Sequence, residues 1–126
     1  MKIRICTLAA FLFVFSSASL MAQQPAGLLQ YDTKLLRLSE ILGSLHYLRN
    51  LCGEEGTQWR DEMNALLTAE QPNAARKARL LGAFNDAYRV FSDRYSQCTP
   101  AAHEAVNRYT KEGISLSQEL VDRFGN

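Results

Sequence analysis

Apolar residues recur at steps of three and four along most of this sequence, which is the spacing of residues on one face of an α-helix. From residue 23 onward no stretch alternates with the period of a β-strand, and β-branched residues are sparse. Turn residues interrupt the helical pattern three times. We therefore predict an all-α fold of four amphipathic helices joined by short connections.

The first predicted helix extends from Thr33 to Cys52. Asp32 occupies its N-cap position, and Gly53 follows as a C-terminal stop. Its apolar stripe contains Leu35, Leu38, Ile41, Leu42, Leu45, Leu48 and Cys52. Arg49 falls in the middle of this stripe, so its guanidinium must reach water at the end of the helix or meet a carboxylate or backbone carbonyl.

The second and third predicted helices meet where Pro72 ends one of them and Asn73 caps the next. Thr57 is the predicted cap of the second helix, whose stripe contains Trp59, Met63, Leu66 and Leu67. The third stripe contains Leu80, Leu81, Phe84, Tyr88, Phe91 and Tyr95. Its aromatic members form a ladder, so this helix is predicted to bury that side.

The fourth predicted helix begins at Thr99 and Pro100, a capping hydroxyl followed by a proline at the first helical position, and Gly125 ends it. Its stripe contains Ala102, Val106, Tyr109, Leu116, Leu120 and Phe124. Gly113 lies in the centre of this stripe, where Ala favours a helix by about 1 kcal/mol. We predict that Gly113 lets the aromatic ladder of the third helix approach closely; a local kink or break is the alternative.

Connections of only a few residues favour antiparallel neighbours, which gives a compact up-down four-helix bundle. The first and third helices then point the same way, so Cys52 and Cys98 lie at the same end of the bundle. We predict a disulfide between them, with two separate buried thiols as the alternative. On the chain-entropy estimate, a bridge across this separation stabilises the fold by about 4 kcal/mol.

Residues 1–22 have the order of a secretory signal peptide: two basic residues, an apolar run without charge and a small-residue exit. The apolar run is too short for a membrane span of about 20 residues. Cleavage after Ala22 is preferred over cleavage after Ala18, and a retained signal anchor is the competing interpretation. Export to the periplasm is therefore expected, with no transmembrane anchor after cleavage. Cys6 leaves with the signal, so two cysteines remain in an oxidising compartment.

The chain of 126 residues carries 14 Lys and Arg against 13 Asp and Glu, a formal charge of +1. The predicted mature chain, residues 23–126, has the size of a single helical domain. Lys2 and Arg4 leave with the signal, so the predicted mature chain carries 12 basic against 13 acidic residues, a formal charge of −1. Because neither sign dominates, the composition shows no electrostatic footprint for nucleic acid, and no nucleic-acid partner is expected.

The two histidines, His46 and His103, are the first candidates for metal or catalytic chemistry. His103-Glu104 begins like a zinc-protease motif, but Asn107 stands where the second histidine belongs. The sequence contains no C-x-x-C-H haem site and no nucleophile motif. We therefore expect no catalytic residue, no metal ligand and no cofactor, and we interpret both histidines as surface or boundary residues.

A candidate interaction pole surrounds the predicted disulfide. It consists of Arg49, Trp59, Arg60 and Tyr95, residue types that are enriched at binding hot spots. An aromatic stripe at helical spacing is more often ordinary core, and that alternative stays open here. If the protein has a binding surface, this pole is where the sequence places it.

The chain resembles a family of small exported alphaproteobacterial proteins that is catalogued as a domain of unknown function. The resemblance is carried by residues 38–49 (LSEILGSLHYLR), 51–53 (LCG), 55–60 (EGTQWR), 84–88 (FNDAY), 95–100 (YSQCTP) and 108–113 (RYTKEG). It implies export and a recurring cysteine pair, but no activity. We expect a non-enzymatic binding or adaptor module of the cell envelope, with another envelope protein as its partner. A small-ligand or cofactor carrier that uses the bundle interior is the alternative, and a small hydrolase comes third.

Overall fold

The structure is a computed structural model, and it describes residues 25–125. The described residues form four α-helices and no strand: α1 (Ala26–Leu51), α2 (Gln58–Glu70), α3 (Ala74–Arg94) and α4 (Pro100–Phe124). This confirms the predicted all-α four-helix bundle. The predicted signal peptide lies outside the described residues.

Helix α1 is the longest of the four at 26 residues, and it packs against each of the other three. It runs parallel to α3, because Asp32 near its start pairs with Arg76 in the first turn of α3, and Cys52 at its end joins Cys98 just after α3. The predicted direction of these two helices is confirmed.

The other two neighbours run antiparallel to α1. Lys34 of α1 pairs with Glu119 late in α4, while Arg49 at the other end of α1 donates to Thr110, nearer the start of α4. Tyr31 likewise meets Glu70 at the last position of α2. The four helices therefore alternate in direction along the chain. Helix α1 takes part in each of the three main helix–helix contacts.

Two groups of buried side chains form the core, one towards each end of α1. The group at the disulfide end contains Ile41, Leu45, Leu48, Phe91, Ala102, Ala105 and Val106. The other contains Leu35, Leu42, Met63, Leu80, Phe84 and Leu120. Leu48 is fully buried, and Trp59 packs against both groups, so side chains fill the interior along the length of the bundle.

The predicted start of the first helix is wrong by seven residues, because α1 begins at Ala26. Asp32 is therefore not an N-cap. Asp32 lies within α1, and its Oδ1 accepts a hydrogen bond from Nε of Arg76 at 2.8 Å, while Nη2 of Arg79 lies 3.8 Å from Oδ2. An aspartate that pairs across helices looks the same in sequence as a capping aspartate, which explains the error.

The predicted caps of α3 and α4 are confirmed. Asn73 accepts a hydrogen bond from the backbone N–H of Arg76 at 2.8 Å, and Thr99 accepts from the N–H of Ala102 at 3.1 Å. Thr57 occupies the N-cap position of α2, but its hydroxyl donates to the carboxylate of Asp61 instead of accepting from the backbone.

The predicted close approach at Gly113 involves a different helix. A Cβ at this position would lie 3.2 Å from Cγ2 of Ile41, so the neighbour is α1 and not the aromatic ladder of α3. A closer approach occurs at Gly43 of α1, where a Cβ would lie 2.8 Å from the carbonyl carbon of Phe84 and closer still to its oxygen. Both contacts follow from the central position of α1.

Candidate functional site

Cys52 and Cys98 form a disulfide with their Cα atoms 5.0 Å apart. Cys52 is the C-cap residue of α1, and Cys98 immediately precedes Thr99, the N-cap of α4. The bond therefore joins the end of one helix to the beginning of another, as the predicted direction of the helices requires.

Arg49 is held beside this disulfide by several contacts. Its Nη1 lies 2.6 Å from Oε2 of Glu54, its Nη2 donates to Oγ1 of Thr110 at 3.0 Å, and its guanidinium lies 5.0 Å from the ring centroid of Trp59. Its Nε is buried without a partner among the described residues. The guanidinium thus meets a carboxylate, which is one of the two outcomes that its position in the apolar stripe allowed.

The four residues of the interaction pole make different contacts. Arg49 and Trp59 touch each other, whereas Tyr95 packs on Phe91 with ring centroids 6.2 Å apart. The Tyr95 carbonyl accepts a hydrogen bond from Tyr47. Arg60 is exposed on α2. Of the four, Trp59 also borders an open groove.

This groove lies between α2 and α4, with α1 as its floor. It consists of two adjoining cavities of about 470 and 440 Å³. Leu38, Leu42, Glu62 and Ser117 line both cavities, so the two are continuous. The groove extends along α1 from Tyr31 to Leu45.

The wall formed by α4 presents apolar side chains to solvent. Ile114 is 57% exposed and Val121 is 67% exposed, and they lie two helical turns apart on the side that lines the groove. The opposite wall presents the small residues Ala65 and Ala69, one turn apart on α2. The groove was not predicted from the sequence. The signal for it was the presence of Ile114 and Val121, two apolar residues that lie outside the predicted stripe of α4.

The two histidines have different surroundings. His46 is half-buried, with its ring centroid 5.8 Å from that of Phe84 and 5.6 Å from that of Tyr88. Burial lowers its pKa below the ordinary value, and the charge of Arg60 adds to this effect. His103 is exposed, and its Nε2 lies 3.2 Å from the Sγ of Cys98.

Cys52, Cys98 and His103 are the group with metal-ligating potential among the described residues, since one ligand atom from each lies within 4.8 Å of the others. Metal binding requires thiolates, and both sulfurs are engaged in the disulfide. While the disulfide is intact, neither sulfur is a thiolate that could bind a metal ion.

Ion pairs join the helices on the remaining faces. Arg37 of α1 makes two hydrogen bonds to Glu112 of α4, at 2.6 and 2.9 Å, and one to Glu40. The hydrogen bonds from Arg37 hold the pKa of Glu112 below its usual value. Burial, reinforced by a hydrogen bond to Glu70, raises the pKa of Tyr31 to about 12. Arg37 is thus paired with Glu112, and Tyr31 with Glu70. Shifted pKa values in such interhelical pairs are typical of ion-pair networks that have a structural role.

None of the four described helices combines the length and the apolar character that a bilayer crossing requires. No curated protein and no solved structure matches the chain. Residues 30–124 match the family described as a protein of unknown function, DUF2385, and this match covers all four helices apart from the first turn of α1. The chain therefore belongs to the DUF2385 family.

Proposed function

We propose that this protein is a non-enzymatic binding module of the cell envelope, and that the groove between α2 and α4 holds an amphipathic helix of a partner protein. The observation that carries the proposal is the open apolar groove, in which Ile114 and Val121 remain more than half exposed. Large apolar side chains lining a continuous concave surface are typical of interaction sites.

The dimensions of the groove suit a helix. Its floor follows α1 from Tyr31 to Leu45, which at 1.5 Å per residue is roughly 20 Å, the length of a helix of about 14 residues. The small side chains of Ala65 and Ala69 permit close approach at one wall, and the ridge of Ile114 and Val121 supplies apolar contact at the other. Such grooves bind helices through apolar anchors at helical spacing.

Charge favours an occupant with a basic residue. Glu62 is exposed on α2 where the two cavities join, and Glu70 lines the groove nearer its end. Glu70 already pairs with Arg76, at 2.8 Å. Glu62 is therefore the carboxylate that we expect to meet Lys or Arg on the partner helix.

Location in the envelope rests on the N-terminal sequence and on the cysteines. Residues 1–22 have the pattern of a cleavable signal, and the Cys52–Cys98 pair suits an oxidising compartment such as the periplasm. The partner we expect is accordingly another envelope protein.

A carrier for small ligands is the second candidate, and the groove, not the bundle interior, is where the ligand would lie. Side chains fill the interior, with Leu48, Ile41 and Met63 at most 1% exposed. The two cavities have volumes in the range of small-molecule sites, roughly 300–1,000 Å³. Native mass spectrometry of the purified protein distinguishes this candidate, because a carried ligand adds a defined mass.

Site-specific photo-crosslinking in the envelope of the native host tests the proposal. A photoreactive residue replaces Ile114 in one variant and Val90 in a second. Val90 is a matched control because it is 55% exposed on α3, outside the groove. We expect a crosslink from position 114 that maps to an amphipathic helical segment of one other protein, and none from position 90.

The proposal is rejected if positions 114 and 90 give the same crosslinks. It is also rejected if the crosslinked segment from position 114 has no helical apolar periodicity. A defined additional mass in the purified protein, together with no crosslink from position 114, rejects the proposal and supports a small-ligand carrier as the function of the groove.

A further inference from the structure

The two sulfurs of the disulfide lie in opposite electrostatic surroundings. Cys52 is the C-cap residue of α1, where the helix carries a partial negative charge. Cys98 immediately precedes the N-cap of α4, a helix of 25 residues whose N-terminal end carries a partial positive charge. A thiolate is therefore more stable on Cys98 than on Cys52.

The imidazole of His103 adds a second, independent contribution at the same sulfur. Its Nε2 lies 3.2 Å from Sγ of Cys98. His103 is in the first turn of α4, where its backbone N–H donates to the carbonyl of Thr99 at 3.0 Å, so the helix start fixes the backbone from which the ring reaches Cys98. A neighbouring imidazolium stabilises a thiolate and lowers its pKa.

We propose that Cys52–Cys98 is an exchange-competent disulfide that reacts with dithiols, and that Cys98 is its leaving thiolate, paired with His103. One thiolate of the dithiol attacks Sγ of Cys52. The S–S bond breaks, its electron pair leaves on Cys98, and the Nε2–H of His103 donates a hydrogen bond to that thiolate. The second thiol of the dithiol then attacks the mixed disulfide and releases Cys52. The dithiol is oxidised by two electrons to its disulfide, and both cysteines of this chain are reduced.

The substrate class that follows is a dithiol, either a small molecule or a Cys pair of another protein. Stabilising the Cys98 thiolate favours the reduced form of this chain, so it raises the reduction potential of this disulfide above the value that the same bond would have without His103. Cys52 is half-buried and packs against the core group at the disulfide end, so only part of this residue reaches solvent. This chemistry is separate from the groove, and it does not depend on the proposed binding function.

The other charged groups at the disulfide end of the bundle are paired or exposed, so we do not expect them to stabilise the Cys98 thiolate in place of His103. Arg49, in the last turn of α1, is paired with Glu54 at 2.6 Å. Arg94 and Glu104 are exposed on the ends of α3 and α4. His103 is the side chain whose ring nitrogen reaches the Cys98 sulfur, so its removal is expected to change the exchange chemistry.

The regiochemistry of exchange gives the first test. The oxidised, full-length mature protein is mixed with glutathione, quenched in acid and digested, and the glutathione adduct is located by mass spectrometry. We expect the adduct on Cys52, because the attacked sulfur is the partner of the better leaving group. An adduct located mainly on Cys98, or equally on both cysteines, overturns the proposal.

Substitution of His103 gives the second test. The rate of reduction of the folded, oxidised protein by dithiothreitol is measured from pH 5 to pH 9 in His103→Ala, His103→Lys and Asn107→Ala. Asn107 is a matched control, since it is exposed one turn further along α4. All three variants keep both cysteines, so the disulfide still links the bundle.

We expect His103→Ala to slow reduction at neutral pH by about threefold to tenfold, because a leaving thiolate of higher pKa departs more slowly. His103→Lys restores a cation and recovers most of the rate, whereas Asn107→Ala changes nothing. A change of tenfold in the exchange equilibrium corresponds to about 30 mV in reduction potential. Equal rates and equal pH profiles in wild type and His103→Ala overturn the proposal.

Discussion

Gly43 of α1 lies directly against the backbone of Phe84 of α3, and no side chain fits between them. A Cβ at position 43 would lie 2.8 Å from the Phe84 carbonyl carbon. The obstacle is backbone inside a helix, which cannot rotate away as the end of a side chain can. This contact fixes how closely α1 and α3 pack, and it holds the core on that side of α1 in register.

Gly43→Ala is therefore expected to destabilise the fold by about 3 kcal/mol or more, since α1 and α3 must separate to admit the methyl group. Gly82→Ala is the matched control, because Gly82 is also inside a helix of this contact, but a Cβ added there would meet nothing within 4 Å. Gly82→Ala gains helix propensity and is expected to be neutral or stabilising by up to about 1 kcal/mol. Urea unfolding measures both, and equal effects would show that the helices do not pack this closely.

Removing the disulfide tests the topology. Cys52→Ser is expected to lower the stability of the oxidised protein by about 4 kcal/mol, since the bond closes a loop across 46 positions. For a domain of this size that is a drop in melting temperature on the order of 15 °C. Under reducing conditions, the variant and wild type are expected to melt together. A variant that loses as much stability in the reduced state would mean that Cys52 acts through packing.

The Arg37–Glu112 pair predicts an acid-dependent contribution to stability. The pKa of Glu112 is lowered in the fold by hydrogen bonds from Arg37, so its contribution is present above the ordinary value of 4.5 and is lost as the pH falls through the lowered one. Both side chains are about 40% exposed, so the pair is worth less than about 1 kcal/mol. Glu112→Gln is expected to cost that amount at pH 7 and progressively less as the pH falls below 4.5, as measured by urea unfolding. A cost independent of pH contradicts this.

His46 predicts a second pH effect in a higher range. Burial lowers its pKa in the fold, so the folded state favours the neutral ring. The unfolded chain takes up the proton first, and stability therefore falls as the pH drops below about 6.5. His46→Phe keeps an aromatic ring beside Phe84 and Tyr88 and removes the titration. Between pH 7.5 and 5.5 the variant is expected to lose less stability than wild type, and parallel curves would contradict the prediction.

Much of the fold was predictable because it depends on local signals. The periodicity of apolar residues identifies four helices, and the caps at Asn73 and Thr99 give the starts of α3 and α4 within a residue. The disulfide prediction rested on the direction of the helices and on the two cysteines that remain after the predicted signal is removed. The start of α1 was not predictable in the same way, because the role of Asp32 depends on Arg76, which lies 44 positions away.

The groove and the sulfur–imidazole contact depend on distances between elements. Periodicity shows which face of a helix is apolar, but it does not show that α2 and α4 leave α1 open between them. Ile114 and Val121 lie outside the predicted stripe of α4, and only the packing of the helices gives them a common surface. His103 was interpreted as a surface residue, and it is exposed; its proximity to Cys98 depends on the turn that begins α4.

The binding affinity of the crosslinked helix tests the account most directly. A synthetic peptide of the segment captured from position 114 is titrated into wild type, Val121→Lys and Val90→Lys. A lysine at position 121 places a charge against the apolar face of the peptide, so we expect its dissociation constant to rise at least tenfold, about 1.4 kcal/mol. Val90→Lys, a similarly exposed position on α3, is expected to bind as wild type does. Equal affinity of all three proteins for the peptide would contradict the account.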